Sequence, residues 1–288
     1  MRAMDISRVC VVGGGTMGNG IAHVFALKGF EVTLVEAKKE LADKALAAIQ
    51  KNLERQAAKG AIKEDERIAA AGRVKAALSI SDARGFQFAV EAVPERLEIK
   101  KAVFRDLEAA AAPGAILATN TSSLSVTEIA SVVKDPSRVI GMHFMNPVPV
   151  MKLVELIRGL RTSDETCKTA HELTLKLGKT PAAAQDFPGF VSNRVLMPMI
   201  NEAIFCLMEG VSSKEDIDTV MKLGMGHPMG PLQLADYIGL DVCLAIMNVL
   251  HDGFADSKYR SCPLLKQMVS AGRLGVKSGS GFYEYPKK

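Results

Sequence analysis

Six residues near the start of the chain constrain it most: Gly13-Gly14-Gly15-Thr16-Met17-Gly18. They follow an apolar, β-branched run over 6–12 and open a stretch of helical spacing over 16–28. The bare G-x-G-x-x-G pattern also makes ordinary turns. Between a strand and a helix it is the setting that cradles a dinucleotide. Gly13 would allow the tight turn, Gly15 the approach of a pyrophosphate, and Gly18 close packing of helix on strand. The helix N-terminus then offers N–H donors and positive potential to phosphates. Glu36 ends the next strand, 21 residues after Gly15. An acid there accepts from an adenosine ribose diol and repels a 2′-phosphate, so NAD is expected over NADP. Lys38 and Lys39 stand just beyond it, either as a counterweight to that preference or as solvated helix-start lysines.

The alternation begun there continues. Strands are expected at 31–36, 88–93, 116–119, 139–143 and 152–157. Helices are expected at 41–59, with Leu41, Ala45, Ile49 and Leu53 on one face, and at 98–112, ending at Pro113-Gly114. Strand and helix in turn predict a parallel sheet covered on both faces. After Gln185 the pattern changes. Asp186-Phe187-Pro188-Gly189 reads as a turn, and beyond it lie helical patterns at 190–209, kinked at Pro198, from a capped start at Ser213, and at 232–250. An α/β domain over 1–185 and an all-helical domain over 186–288 are expected. The apolar surplus of the second domain serves either its own core or an interface between copies.

Length suits two domains, and 48% hydrophobic residues furnish their cores. A net charge of +4, spread along the chain, does not point to nucleic acid or a membrane surface. Five cysteines without metal or redox spacing fit a reducing, cytoplasmic compartment, and no metal site is expected.

The chemistry-bearing pair lies around a proline. His143 and Glu155 are each six residues from Pro149, in two runs that read as strands. A chain folding back there brings the two side chains opposite each other. Such a pair suits alcohol oxidation. Histidine titrates near pH 6.5 and can take or return a hydroxyl proton, while a carboxylate fixes its tautomer and steadies the imidazolium. His23, His171, His227 and His251 lie in helices or a turn without an evident carboxylate opposite.

These motifs, together with Asn120-Thr121-Ser122-Ser123-Leu124, the block from His143 to Pro149, the block from Asp186 to Arg194, Gly230-Pro231 and the block from Lys277 to Tyr283, occur in an order that resembles the L-3-hydroxyacyl-CoA dehydrogenases. Within them the chain is most similar to the bacterial 3-hydroxybutyryl-CoA dehydrogenases of fatty-acid and butyrate metabolism. The resemblance implies a Rossmann-type domain followed by a helical dimerisation domain, with a homodimer or larger homo-oligomer as the assembly. It implies that His143 is the acid–base catalyst and Glu155 its orienting acid. Ser122 would touch substrate and nicotinamide, and Asn193 would hold the acyl group. Glu95, Lys100, Asn120, Asn146 and Lys277 fall where that family meets the cofactor. Asn52 and Lys59 are the nearest matches to its CoA contacts, beside a stripe of Lys51, Arg55 and Lys59 that either grips phosphates or is a solvated face. Rival readings are a dehydrogenase of free β-hydroxy acids, whose lysine motif is not seen in this sequence, and a catalytically silent NAD-responsive sensor or structural protein.

Overall fold

A computed structural model of the chain describes residues 6–286. It divides into two compact units, Met1–Asp186 and Phe187–Lys288.

The first unit is built on an eight-stranded sheet. Its strands are β1 (Arg8–Val12), β2 (Glu31–Val35), β3 (Val74–Ala77), β4 (Phe88–Glu91), β5 (Ile116–Thr119), β6 (Val139–Phe144), β7 (Leu153–Arg158) and β8 (Thr180–Gln185). Their order is β3-β2-β1-β4-β5-β6-β7-β8. Every neighbouring pair is parallel except β6 and β7, which run antiparallel. The central strands are apolar on both faces: β4, β5 and β6 are buried along their whole length. That is the mark of strands covered by helices above and below. The helices are α1 (Thr16–Leu27), α2 (Lys39–Ala58), α3 (Glu64–Gly72), α4 (Leu97–Ala110), α5 (Val126–Ala130) and α6 (Asp164–Lys176).

The buried face of α2 is Ala42, Ala45, Ile49 and Leu53. Leu41, expected on that face, is 46% exposed, and Ala42 takes its place. The helix begins two residues earlier than expected, and its first turn lies against solvent.

The second unit is helical: α7 (Ser192–Met208), α8 (Lys214–Thr219), α9 (Pro231–Ile238), α10 (Leu240–Phe254) and α11 (Pro263–Ser270). Pro198 lies inside α7, which continues through it. Ser213 caps α8, accepting from the Asp216 N–H. The single helix expected over 232–250 is two helices, bent by 97° at Gly239. Gly239 has φ +102°, a conformation other residues rarely adopt, so the helix ends there. The core gathers Met197, Ile200 and Ile204 of α7 with Leu232 of α9 and Cys243, Met247 and Leu250 of α10. Among the described residues no single helix is long and apolar enough to cross a membrane, all five cysteines are free thiols, and no cluster of three metal-ligating side chains occurs.

Candidate active site

At the carboxyl end of β1 the chain enters the glycine loop. Gly13 has φ +96°, and a side chain there would strike the Ala92 carbonyl at 2.7 Å. A Cβ on Gly18 would overlap the Gly13 carbonyl oxygen, so this glycine is what lets α1 pack down on the loop. A Cβ on Gly15 would meet nothing within 4 Å: that face of the loop is open. No side chain caps α1, which leaves its first-turn N–H groups to face a ligand.

Glu36 follows β2 and turns back to the loop. Its carboxylate accepts from the Gly14 N–H at 2.7 Å and the Ala37 N–H at 3.0 Å. A groove of about 690 Å³ runs past these groups, lined by Gly13, Gly15, Thr16, Met17 and Glu36 and by apolar side chains that include Ile80, Val93 and Val103. Open glycine backbone, uncapped helix N-terminus, fixed carboxylate and apolar walls together fit a dinucleotide. Lys39 pairs with Asp43 at 2.7 Å, away from Glu36 on an exposed face of α2.

The carboxyl ends of β4 and β5 carry a polar cluster. Glu95 holds the segment after β5: its Oε1 accepts from Thr121 Oγ1 at 2.5 Å, Ser122 N at 2.9 Å and Ser123 N at 3.1 Å. Its Oε2 lies 3.2 Å from Lys100 Nζ. Burial pushes the Glu95 carboxyl up, but the Lys100 charge and the hydrogen bonds from Thr121 and Ser122 outweigh that, holding it below the usual carboxylate range. Lys100, expected at the cofactor, is only 1% exposed and turns inward to Glu91 and Glu95. Asn120 Oδ1 accepts from the Phe144 N–H at 2.9 Å, tying this segment to β6.

His143 sits on β6 and Glu155 on β7, directly opposite in the antiparallel register. His143 Nδ1 and Glu155 Oε2 are 2.8 Å apart, with 9% and 2% of the residues exposed. The hairpin read from the sequence is therefore present, with the pair on its buried stretch. Asn146 lies exposed after β6, before a cis bond to Pro147.

Four further expected residues lie on α2 and in the helical unit. Asn52 is half-buried and Lys59 exposed at the end of α2, with Lys51 and Arg55 exposed on the same helix. Asn193 is buried in the first turn of α7, and Lys277 pairs with Asp241 at 2.5 Å; both belong to the helical unit.

Reading the sequence missed several contributors. Glu91 and Thr119, both fully buried, underlie the Glu95 cluster. Asp186 accepts from Ser125 Oγ, Val126 N and Thr127 N and so caps α5, immediately beyond Ser122. Only an acid ending an otherwise apolar strand, Phe88-Ala89-Val90-Glu91, signals the first of these in the sequence.

Residues 8–187 match the family described as 3-hydroxyacyl-CoA dehydrogenase, NAD binding domain, and residues 189–285 match its C-terminal domain. A probable 3-hydroxybutyryl-CoA dehydrogenase of Bacillus subtilis is 54% identical over 285 residues, spanning 99% of each chain. The 3-hydroxybutyryl-CoA dehydrogenase of Clostridioides difficile is 49% identical over 280 residues, 97% of this chain and 100% of that one. The crystal structure of (S)-3-hydroxybutyryl-CoA dehydrogenase from Ralstonia eutropha superposes with a TM-score of 0.96 at 46% identity, covering 98% of this chain and 100% of that chain. By both of its domains, the chain belongs to the 3-hydroxyacyl-CoA dehydrogenase family.

Proposed function

We propose that this protein interconverts (S)-3-hydroxybutyryl-CoA and acetoacetyl-CoA, using NAD(H). The observation that carries the reading is the His143–Glu155 pair, buried and 2.8 Å apart, in the sheet whose first strand leads into the glycine loop. The relatives are named as dehydrogenases, which favours an enzyme over a silent NAD-responsive protein.

The loop from Gly13 to Gly18 and the α1 N-terminus would hold the pyrophosphate, and Glu36 the adenosine ribose. When bound, NAD supplies the acceptor for the hydride that leaves carbon 3. The 3-hydroxyl proton goes to Nε2 of His143, since Nδ1 is engaged by Glu155. The Glu155 charge stabilises the imidazolium that results. In the other direction protonated His143 gives its proton to the ketone oxygen. Positioned proton transfer of this kind contributes about 10²–10⁴ in rate. Ser122, whose backbone Glu95 fixes, would orient the reacting oxygen, and Asn193 would hold the acyl group. Glu95, Lys100, Asn120, Asn146 and Lys277 would shape the nicotinamide side, Lys100 acting from beneath. Asn52 and Lys59 would meet the CoA. Exposed apolar residues of the helical unit, Val220 at 58%, Leu223 at 81% and Met225 at 64%, support a homodimer.

The test is loss of nicotinamide absorbance when purified protein is mixed with acetoacetyl-CoA and NADH, beside NADPH and free acetoacetate. Turnover with NADH and the thioester alone is expected. Equal turnover of free acetoacetate would remove the CoA requirement, and no turnover with any pair would remove the function.

A further inference from the structure

Five residues beneath the Ser122 segment close a ring. Glu91 ends β4 and faces Thr119 across the parallel register with β5. Glu91 Oε1 accepts from Lys100 Nζ and from the Val93 N–H, both at 2.7 Å, and its Oε2 accepts from Thr119 Oγ1 at 2.7 Å. Thr119 Oγ1 in turn accepts from the Thr121 N–H at 3.3 Å. Thr121 Oγ1 donates to Glu95, and Glu95 reaches Lys100 at 3.2 Å. Glu91 thus touches the Ser122 segment by two routes, one through Lys100 and Glu95 and one through Thr119 and Thr121.

Glu91 is 0% exposed and lies among apolar neighbours on a strand buried along its length. A carboxylate there is costly unless paired and hydrogen-bonded, and a leucine or valine would pack the sheet without that cost. The ring supplies one ammonium to two carboxylates, so Glu91 and Glu95 share Lys100. With Glu91 holding Oε1 against the ammonium, Lys100 is fixed on the inner side. Glu95 can then keep its Oε1 on the Thr121 hydroxyl and the Ser122 and Ser123 N–H groups. Between the two threonines stands Asn120, whose Oδ1 holds the Phe144 N–H next to His143. One buried carboxylate therefore underlies both the serine segment and the strand bearing the histidine.

We infer that Glu91 is a positioning residue for the dehydrogenase reaction, acting through the Glu91–Lys100–Glu95–Thr121–Thr119 ring to hold Ser122. This rests on the function proposed above. The effect belongs in kcat, because the ring fixes the reacting groups in place; its hydrogen bonds reach the lining of the dinucleotide groove only at Val93, and none runs to the loop from Gly13 to Gly18.

The test uses the full-length enzyme, with acetoacetyl-CoA and NADH turnover, NADH titration by fluorescence and melting temperature measured together. Glu91→Gln keeps the volume and removes the charge. It should lower kcat about tenfold or more while the NADH dissociation constant stays within about twofold. On a Lys100→Met background the same substitution should cost about fivefold or less, since the Lys100 route is already gone and only the Thr119 route is left to lose. Thr119→Val keeps shape and charge and removes only one hydroxyl from the ring; it should lower kcat by about two- to fivefold with the fold intact. Wild-type kcat in either single variant overturns the inference, as does a loss confined to NADH affinity or melting temperature. An equal loss from Glu91→Gln with and without Lys100 also overturns it. If Glu91→Gln does not fold, Thr119→Val decides alone. Turnover by the unmodified enzyme reports on the proposed function, and the ratio of variant to wild type reports on Glu91, so the two failures are distinguishable.

Discussion

Glu155 in the sheet unit and Asp236 in the helical unit are equally hidden from water, 2% and 1% exposed, but they keep different company. Glu155 accepts from an imidazole that can gain and lose a proton. Asp236 accepts from the Phe282 and Tyr283 N–H groups, both at 2.9 Å, and from the Tyr285 hydroxyl at 3.2 Å. Asp218 does similar work nearby: it accepts from Leu232 N and Gln233 N at the start of α9 and from the Tyr283 hydroxyl. A buried carboxylate is thus not in itself a sign of chemistry. Where its donors are backbone N–H groups and phenols it fastens chain; where its partner is an imidazole it can serve proton transfer.

That contrast is easiest to break at His143. His143→Gln should lower kcat by about 10²–10⁴ with NADH affinity kept, read by steady-state kinetics and a binding titration. A near-wild-type rate would leave the two carboxylates with equivalent, structural roles. Glu155→Gln should follow with a smaller loss in kcat, because the histidine remains but its imidazolium loses the stabilising charge.

Asp236→Asn should behave in the opposite way. The amide cannot accept on both sides, so one of the two N–H groups at 282 and 283 loses its partner. That costs about 1–3 kcal/mol, a melting temperature lower by roughly 2–10 °C, with kcat unchanged. A kcat loss without destabilisation would erase the distinction between the units.

The smallest effect is one of sign with pH. Burial lifts the Asp236 carboxyl above its usual range, against the pull of the Tyr283 and Phe282 N–H groups and the Tyr285 hydroxyl. The native state therefore holds that proton longer than the unfolded chain, and acidification toward the ordinary value of about 3.9 relieves a cost. Glu95 is held low, so its contribution is complete above about pH 4.3 and is lost as pH falls through its folded value. In calorimetry the gap in melting temperature between wild type and Asp236→Asn should widen from about pH 6 to pH 4. The gap between wild type and Glu95→Gln should hold down to about pH 4.3 and close only below it. Parallel trends would show that the two environments do not differ.

Most of the sheet was legible because its central strands are short, apolar and bounded by glycines or polar turns. The strands that escaped notice, β3 and β8, are the two edges. Val74-Lys75-Ala76-Ala77 and the alanine-rich run at 180–185 are largely exposed, so they lack the apolar alternation that marks a half-buried strand. The hairpin carrying His143 and Glu155 could be read because symmetry about Pro149 is a local property. Lys100 was expected at the cofactor, and its inward turn depends on Glu91 and Glu95, which come near it only once β4 and α4 have packed. Glycines of the last two motifs, Gly230 and Gly281, gain their reason in the same way. A Cβ on Gly281 would run into the Asp236 carboxylate, and one on Gly230 into that of Asp218. Both are contacts between residues far apart in the chain, and no spacing rule reveals them. The helix break at Gly239 was missed because apolar periodicity continues across it, while the left-handed backbone that ends the helix is invisible to periodicity.

The antiparallel step between β6 and β7 makes the acid–base pair a matter of parity. Side chains alternate along a strand, so a slip of one residue in β7 would place Val154 or Leu156 opposite His143. The two alternatives are apolar and well suited to the same buried setting. A single-residue insertion or deletion within β7 would then leave a sheet of nearly unchanged hydrophobicity and every expected site residue still encoded, but no carboxylate on the imidazole. Even-numbered shifts would keep the faces and move the carboxylate by a full repeat along the strand. Length in this strand therefore matters to the chemistry as much as the identity of the two residues.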